Sequence, residues 1–243
     1  MYALIRQITE ECPVFSDSWY GKKIHAYVEA YGLSYDFCRL YSSDQGGMML
    51  VYNSTMICDG NFDKNELEEF VSILDPVNIE VSDNFFKPVG YEKIRKTLFK
   101  GTADENSVRA EEVKVNTCLD DVYVILEESF GLKEYDMWYA DTSHRIRHGM
   151  SDVFLWNNTT VTKLFDVNNY VFLSCIATGS KDRGKGRARQ LLYYLCSEFE
   201  KQGKSVYLYA KDERVSFYES IGFKPVSSEI FYEKKITASI RSD

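Results

Sequence analysis

The hydrophobic positions in the second half of the chain follow two different periods. Between residues 152 and 179, three apolar segments rich in β-branched and aromatic residues are separated by Asn-Asn turn signals. After them, apolar residues recur at helical spacing, at Ala188, Leu191, Leu192, Leu195 and Phe199. The pattern therefore predicts an antiparallel group of strands followed by an amphipathic helix.

Shorter patterns predict the remaining elements of this half. They are strands at "EEVKVNT" (111–117) and "MWYADTS" (137–143), a helix at "LDDVYVILEESFG" (119–131), and then a strand at "SVYLYA" (205–210), a short helix at "ERVSFYESIG" (213–222) and a segment "SSEIFYEKK" (227–235) at the end.

The first half has strand and helix signals of its own. We predict strands at 37–41, 46–58 and 77–82, a helix at 64–74, and an aromatic-rich segment ending in a short helix at 85–100. The polar stretch "KGTADENSVRAEE" (100–112) reads as a linker. We expect two domains, 1–105 and 111–235, each with mixed α and β structure.

Composition and charge exclude several classes of protein. The 243 residues are 44% hydrophobic and 27% charged, which is typical of a folded globular chain, and the net charge of −8 offers no basic face for nucleic acid. Apolar stretches are shorter than the roughly 20 residues of a membrane span, and no secretory signal is evident. We expect a cytoplasmic monomer or homodimer that binds neither nucleic acid nor membrane. Six scattered cysteines and three histidines predict no metal site.

A basic run precedes the long helix. "KDRGKGRARQLL" (181–192) puts five cationic side chains and two glycines into its first nine residues. Cations are disfavoured at a helix N-terminus, where the first N–H groups have no partners. The run is either a solvated basic turn or a site where an anion, above all a phosphate, binds.

Known phosphate-binding patterns separate these alternatives. The P-loop pattern GxxxxGK[ST] is absent, and the dinucleotide pattern GxGxxG fails at Arg189. A third pattern, Arg183-x-x-Gly186-x-Ala188 after an apolar strand, is present. This motif resembles that of the GNAT superfamily of acyl-CoA-dependent N-acetyltransferases, and residues 174–223 follow that family's order of strand, loop, helix, strand and "FYxxxGF".

The resemblance implies a fold. The expected class is α/β (α+β), the GNAT acyl-CoA N-acyltransferase fold, with a mixed, largely antiparallel sheet flanked by helices. Residues 111–235 have the length and element order of one complete domain of this kind. The element order of the first half is similar to that of a degenerate copy of the same fold, which we keep as a hypothesis.

The resemblance also implies a binding site for acetyl-CoA, the expected co-substrate. The strand edge would pair with the pantetheine arm, and the loop would hold the pyrophosphate. The residues concerned are Cys175, Ile176 and Thr178 on the strand, and Arg183, Gly184, Lys185, Gly186, Arg187 and Ala188 in the loop. Two positions depart from the family pattern, Ser180, where proline is frequent, and Lys211, where asparagine is frequent; the second puts contacts beyond the pyrophosphate in doubt.

Candidate catalytic residues follow from the chemistry of amine attack on a thioester. Tyr218 matches the family's general acid, with packing beside Phe217 and Phe223 as the alternative. The expected strand has no carboxylate, so the base is sought in "DTSHRIRHGMSD" (141–152), where His144 and His148 are the candidates beside Asp141 and Asp152. Either histidine could equally be structural, at a strand start.

The expected activity is transfer of an acetyl group from acetyl-CoA to a primary amine of a small molecule or peptide, by direct attack in a ternary complex. One alternative is a catalytically silent module that binds acyl-CoA and regulates. Another keeps the enzyme and changes the acyl group or the class of acceptor.

Overall fold

The structure, a computed structural model, describes residues 5–10, 13–81, 87–104 and 108–235. The chain divides into two compact units. Residues 1–96 together with 228–243 make up the first unit, and residues 97–227 the second. The predicted domains, 1–105 and 111–235, have other bounds and stay a prediction.

Six α-helices and twelve β-strands occur in the described residues. In chain order they are β1 (Ile5–Ile8), α1 (Trp19–Tyr31), β2 (Cys38–Ser43), β3 (Met48–Tyr52), β4 (Thr55–Asp59), α2 (Lys64–Leu74), β5 (Asn78–Val81), β6 (Tyr91–Lys100), β7 (Lys114–Val115), α3 (Leu119–Phe130), α4 (Tyr135–Arg147), β8 (Asp152–Trp156), β9 (Thr159–Val167), β10 (Tyr170–Thr178), α5 (Arg187–Lys201), β11 (Ser205–Lys211), α6 (Asp212–Ser220) and β12 (Lys224–Lys234).

The first unit is a sheet with the strand order β1-β2-β3-β4-β5-β12. Neighbouring strands are antiparallel except β4 and β5, which are parallel and joined through α2. Helix α2 packs Leu67 and Val71 into a core that also contains Met49, Met56 and Ile79. The helical spacing of the two α2 residues explains why this segment is a helix with one buried face.

The second unit contains residues 97–100 of β6 and has the strand order β6-β11-β10-β9-β8-β7. Strands β7, β8, β9 and β10 pair with one another in antiparallel directions, whereas β10 and β11 are parallel. Side chains of β8 alternate between two cores, because Val153 and Leu155 pack with α3 and α4 while Phe154 and Trp156 pack with α5. Helices therefore cover both faces of the sheet.

The structure confirms most of the predicted elements and corrects two. "MWYADTS" was predicted as a strand and is part of the helix α4, because Trp138, Thr142, Arg145 and Ile146 recur at helical spacing and turn inward. The expected short helix near residue 100 is the strand β6, which ends beside β11 with a hydrogen bond from Gly101 N–H to the Val206 carbonyl of 2.8 Å.

Parts of three sequence interpretations lie outside the described residues. These are residue 82 of the strand predicted at 77–82, residues 85–86 of the aromatic-rich segment and residues 105–107 of the expected linker. No helix in the described part of the chain has the length and apolar character needed to cross a membrane.

Candidate functional site

Strand β10 loses one of its two partners half-way along. Within the described chain, β10 pairs with β11 as far as Leu173, whereas its pairing with β9 continues to Thr178. The register with β9 shifts between Ser174 and Ala177, and Cys175 has a left-handed φ of 49°. The strand therefore contains a β-bulge, and one edge of its C-terminal half is open.

The basic run forms the loop after β10 and the start of α5. Gly184 and Gly186 take left-handed φ values of 77° and 72°, which glycine adopts without strain. Gly186 is the N-cap of α5, no side chain caps the helix, and its first turn has no acidic residue. In the described part of the chain, the amide N–H groups from Gly184 to Arg189 have no hydrogen-bond acceptor. These groups form an uncapped, electropositive helix N-terminus.

Arg183 and a carboxylate from α3 hold the beginning of this loop. The Arg183 guanidinium donates hydrogen bonds to the Thr178 carbonyl (2.9 Å) and to the Ser129 hydroxyl (3.1 Å). The Glu128 carboxylate accepts the Ser180 N–H at 3.1 Å and 3.3 Å. Hydrogen bonds from Ser180 lower the pKa of Glu128, and the charge of Arg183 adds to this effect. The beginning of the loop is thus attached to the last turn of α3.

A second carboxylate, Asp182, lies inside the basic run. It contacts Lys185 Nζ at 2.9 Å and a guanidinium nitrogen of Arg187 at 3.0 Å, and it accepts a hydrogen bond from Asn158 Nδ2 at 3.0 Å. Hydrogen bonds from Lys185 and Asn158 lower the pKa of Asp182. Lys185 and Arg187, both expected beside a phosphate, are therefore held next to the loop by a residue of the loop itself.

The space in front of the helix fits a diphosphate group. A Cβ atom at Gly184 would meet nothing within 4 Å, and one at Gly186 would meet only the Arg189 guanidinium, at 3.5 Å. Amide N–H groups without acceptors, a helix N-terminus and nearby cations are the usual components of a phosphate site. Since the open edge of β10 leads directly into this loop, the residues present fit the arm and pyrophosphate of an acyl-CoA.

Tyr218 lies on α6 with its ring in the core beside α5. The ring centroids of Phe99 and Phe223 are 5.6 Å and 5.9 Å away, and Ile176 of β10 packs against the same cluster. Burial raises the pKa of Tyr218 to about 12. Its hydroxyl has no hydrogen-bond partner among the described residues. The ring packs as the structural alternative requires.

The two candidate histidines lie at the end of α4, not at a strand start. His144 is in the last turn and His148 is the C-cap, and their rings stack with centroids 4.3 Å apart. Ile146, between them, packs against the buried cluster that contains Ala177 of β10. This end of α4 therefore lies against the sheet face that includes the C-terminal half of β10.

The two candidate carboxylates have strong partners. Asp141 accepts hydrogen bonds from Arg145 at 2.7 Å and 3.1 Å. Asp152 contacts Lys163 Nζ at 2.5 Å and accepts a hydrogen bond from Asn116 at 2.7 Å. Because both carboxylates are already engaged by cationic side chains, the histidines are the better candidates for a base.

The structure places the candidate acid and the candidate bases on opposite faces of the sheet. Tyr218 belongs to the core that contains α5, whereas α4 belongs to the core that contains α3. The bulge of β10 lies between them. A proton could be accepted on one side of this strand and donated on the other.

Three polar residues around the loop were missed in the sequence. Asn158, Asp182 and Glu128 each hold part of the loop, yet only the Asn-Asn turn gave a local signal. In the described ranges no group of three or more His, Cys, Asp or Glu residues could hold a metal ion.

Solved structures similar to this chain have the same kind of fold. A GCN5-related N-acetyltransferase from Sphaerobacter thermophilus is 16% identical over 98% of this chain and 97% of its own, with a TM-score of 0.55. One from Kribbella flavida is 9% identical over 90% and 95%, with a TM-score of 0.56. A tandem GNAT protein from the clavulanic acid biosynthesis pathway is 9% identical over 97% and 100%, with a TM-score of 0.54.

At these identities the likeness shows the fold alone. No curated protein matches the chain. The family model described as an acetyltransferase (GNAT) domain matches residues 127–239, which include the bulged strand, the glycine-rich loop and α6. Residues 127–239 of this chain therefore belong to the GNAT family of acetyltransferases.

Proposed function

We propose that this protein transfers the acetyl group of acetyl-CoA to a primary amine of a small molecule or peptide, by direct attack in a ternary complex. The observation that carries the proposal is the continuity of two features. The open edge of β10 runs straight into an uncapped, cationic helix N-terminus. An extended arm ending in a diphosphate requires these two surfaces in this order.

The amides from Gly184 to Ala188 would bind the pyrophosphate, with the charges of Arg183, Lys185 and Arg187 beside it. The open edge at Cys175, Ile176 and Thr178 would pair with the pantetheine arm in the manner of an added strand. When bound, acetyl-CoA supplies the activated acyl group.

The reaction needs a donor where negative charge develops on the thioester oxygen. A backbone N–H at the bulge, that of Ile176, is our candidate, because the bulge turns the backbone of β10 away from regular pairing. Ile176 packs against the cluster that holds Tyr218, which keeps the donor and the acid on adjoining elements.

The phenol of Tyr218 would give its proton to the departing thiolate. A pKa of about 12 keeps it protonated throughout the neutral range, so the proton is present when the thiolate leaves. Its hydroxyl, without a partner among the described residues, can turn toward the sulfur.

His144 or His148 would accept the proton of the amine, directly or through a water molecule. They lie at the end of α4, whose Ile146 packs against the cluster that contains Ala177 of β10, on the sheet face opposite Tyr218, and this position supports the role. Direct attack needs no covalent intermediate on the protein.

The alternative is a silent module that binds acyl-CoA and regulates. The absence of a carboxylate from Val171 to Thr178 and the packing of Tyr218 in an apolar core are the observations in its favour. The phenol of Tyr218, which has no hydrogen-bond partner in the described residues, and the stacked histidines favour the enzyme.

Thermal unfolding with and without excess acetyl-CoA, CoA and ATP tests the binding step. A ligand at about 100 times its Kd adds about 2.7 kcal/mol, which raises Tm by several degrees. We expect a shift with acetyl-CoA and CoA and none with ATP. No shift with either CoA compound would overturn the proposal.

Thiol release from acetyl-CoA across a panel of primary amines then tests catalysis. Turnover with at least one amine supports the enzyme, and binding without turnover favours the silent module.

A further inference from the structure

We infer that Asp182 is a positioning residue that holds the phosphate loop in its binding shape before a ligand arrives. It does so by tying the side chains of Lys185 and Arg187 to the turn between β8 and β9. This inference rests on the proposed function, because it concerns the loop to which we assign the pyrophosphate.

The carboxylate of Asp182 is a junction between three segments. One oxygen contacts Lys185 at 2.9 Å and Arg187 at 3.0 Å, and the other accepts the Asn158 amide at 3.0 Å. Its side chain is only 18% exposed, so these contacts are partly shielded from water. Lys185 lies between the two left-handed glycines, and Arg187 is the first residue of α5. The junction therefore fixes both sides of Gly186.

The turn at Asn157 and Asn158 gives the junction a firm base. Both residues have left-handed φ values, 45° and 59°, as the tight turn of a β-hairpin requires. The Asn158 carbonyl accepts the Gly179 N–H at 3.0 Å, and the Asn157 carbonyl accepts a hydrogen bond from Arg187. A Cβ atom at Gly179 would come within 2.3 Å of Asn158 Nδ2, so a side chain there would displace the Asn158 amide from its present position.

Two opposite effects of the carboxylate on acyl-CoA affinity can be separated. A loop with two glycines loses much conformational entropy when it is ordered, and ordering it beforehand increases affinity. The negative charge of Asp182 beside a bound diphosphate decreases affinity. Positioning and repulsion therefore predict opposite signs for the same substitution.

Asp182→Asn removes the charge with little change in volume, and calorimetric titration with CoA measures the result. If positioning dominates, Kd for CoA rises about tenfold. An unchanged or lower Kd would show that the carboxylate acts only as a nearby charge, and would overturn the inference. Asp182→Glu restores the carboxylate and should bring Kd most of the way back.

Asn158→Gly is the second variant, because it leaves every charge in place, removes the side chain that anchors the carboxylate and still adopts the left-handed φ of 59°. We again expect a higher Kd, while an unchanged value contradicts the junction. Glu198→Gln is the matched control, since Glu198 pairs with Lys201 at the other end of α5. Its Kd should equal that of the wild type, and an equal rise there would also overturn the inference.

The Tm values of the ligand-free variants complete the experiment. Exposed ion pairs contribute little to stability, so Tm should change by no more than about 2 °C while Kd changes. A large drop in Tm with proportionate loss of binding would mean a structural role only. If the wild type itself does not bind CoA, the proposed function fails; if it binds and both variants bind equally well, only the positioning role fails.

Discussion

Two helices of this chain occupy the same place in their local topology and have opposite N-termini. Helix α2 joins the parallel strands β4 and β5 of the first unit, and α5 joins the parallel strands β10 and β11 of the second. At α2, the Asp63 carboxylate caps the helix by accepting the N–H groups of Asn65 and Glu66, each at 3.0 Å. At α5, Gly186 is the N-cap and no side chain takes the N–H groups.

The strands before the two helices differ in the same direction. β4 pairs with β5 up to Cys58, one residue from its end, whereas β10 leaves five residues beyond its last pair with β11. In the first unit, a side chain therefore caps the helix, and the strand before it is paired almost to its end. In the second unit, no side chain of the described residues caps the helix, and the end of the strand has no partner on the side of β11. Two units with a shared order of elements thus differ in whether the chain itself supplies the partners of the helix and the strand, and on the proposed function we expect one acyl-CoA per chain.

The largest effect is expected from blocking the uncapped N-terminus of α5 with a side chain. Gly186→Glu places a carboxylate in the space in front of α5 where we expect the pyrophosphate, and it puts a side chain at a φ of 72°. CoA affinity should therefore fall by about a hundredfold or more. Calorimetric titration measures it. Gly203→Glu is the control, because Gly203 also has a φ of 72° and open surroundings but lies after α5. Unchanged CoA affinity in Gly186→Glu would mean that the site is misplaced.

Removing one hydroxyl tests whether the open site is catalytic. Tyr218→Phe should lower turnover about a hundredfold and leave KM for acetyl-CoA unchanged, because the proton donor is lost while the ring stays packed. Steady-state kinetics with an amine found in the screen provide both values. Tyr193→Phe is matched, since it removes another buried phenol, bonded to the Ile221 carbonyl at 3.0 Å. Loss of CoA binding in step with turnover would indicate packing alone.

The rates of thiol alkylation compare the accessibility of a cysteine on β4 with that of a cysteine on β10. Cys58 of β4 is 2% exposed and its pKa is strongly raised by burial, so it should not react in the folded protein. Cys175 of β10 is exposed but has a raised thiol pKa, so it should react slowly, and saturating acetyl-CoA, whose sulfur is acylated and does not consume the reagent, should slow it several-fold further. Peptide mass mapping measures both rates. The exposed Cys118 is the internal control, and equal protection of Cys118 and Cys175 by acetyl-CoA would contradict an arm bound along β10.

The smallest effect is expected from removing the side-chain cap of α2. Asp63→Ala removes the cap of α2 and should reduce the free energy of unfolding by about 1 kcal/mol. Denaturant titration measures the stability, and calorimetry the number of CoA molecules bound. We expect that number to stay at one. A second equivalent of bound CoA would mean that capping alone distinguishes the two units.

The amino-acid sequence predicts the second unit better than its site. The apolar stripe of α5 and the turns at Asn-Asn are local signals, and the elements they predict are present. "MWYADTS" failed because three adjacent apolar residues hide a helical period that continues through Arg145. The segment before residue 100 failed because its Lys, Glu and Leu favour a helix, while its place beside β11 is a tertiary effect.

The site itself depends on contacts that no local pattern carries. The bulge at Cys175 arises from the register between β9 and β10, and the divergence of β10 from β11 depends on where their pairing stops. In the sequence, Asp182 is one acidic residue among several basic ones. Its contact with the Asn158 side chain, which no local pattern predicts, supports the positioning role that we infer. The residues expected to bind the cofactor, and Tyr218, could be named from a motif, whereas the partners that hold the loop could not.

The last strand has a consequence for the synthesis of the protein. β12 pairs with β5 in the first unit, although the whole second unit is translated between them. Domains usually fold as units while the ribosome is still extending the chain. Here the second unit can be almost complete on the ribosome while an edge of β5 still waits for its partner. During translation, that exposed edge is where a chaperone would be needed most.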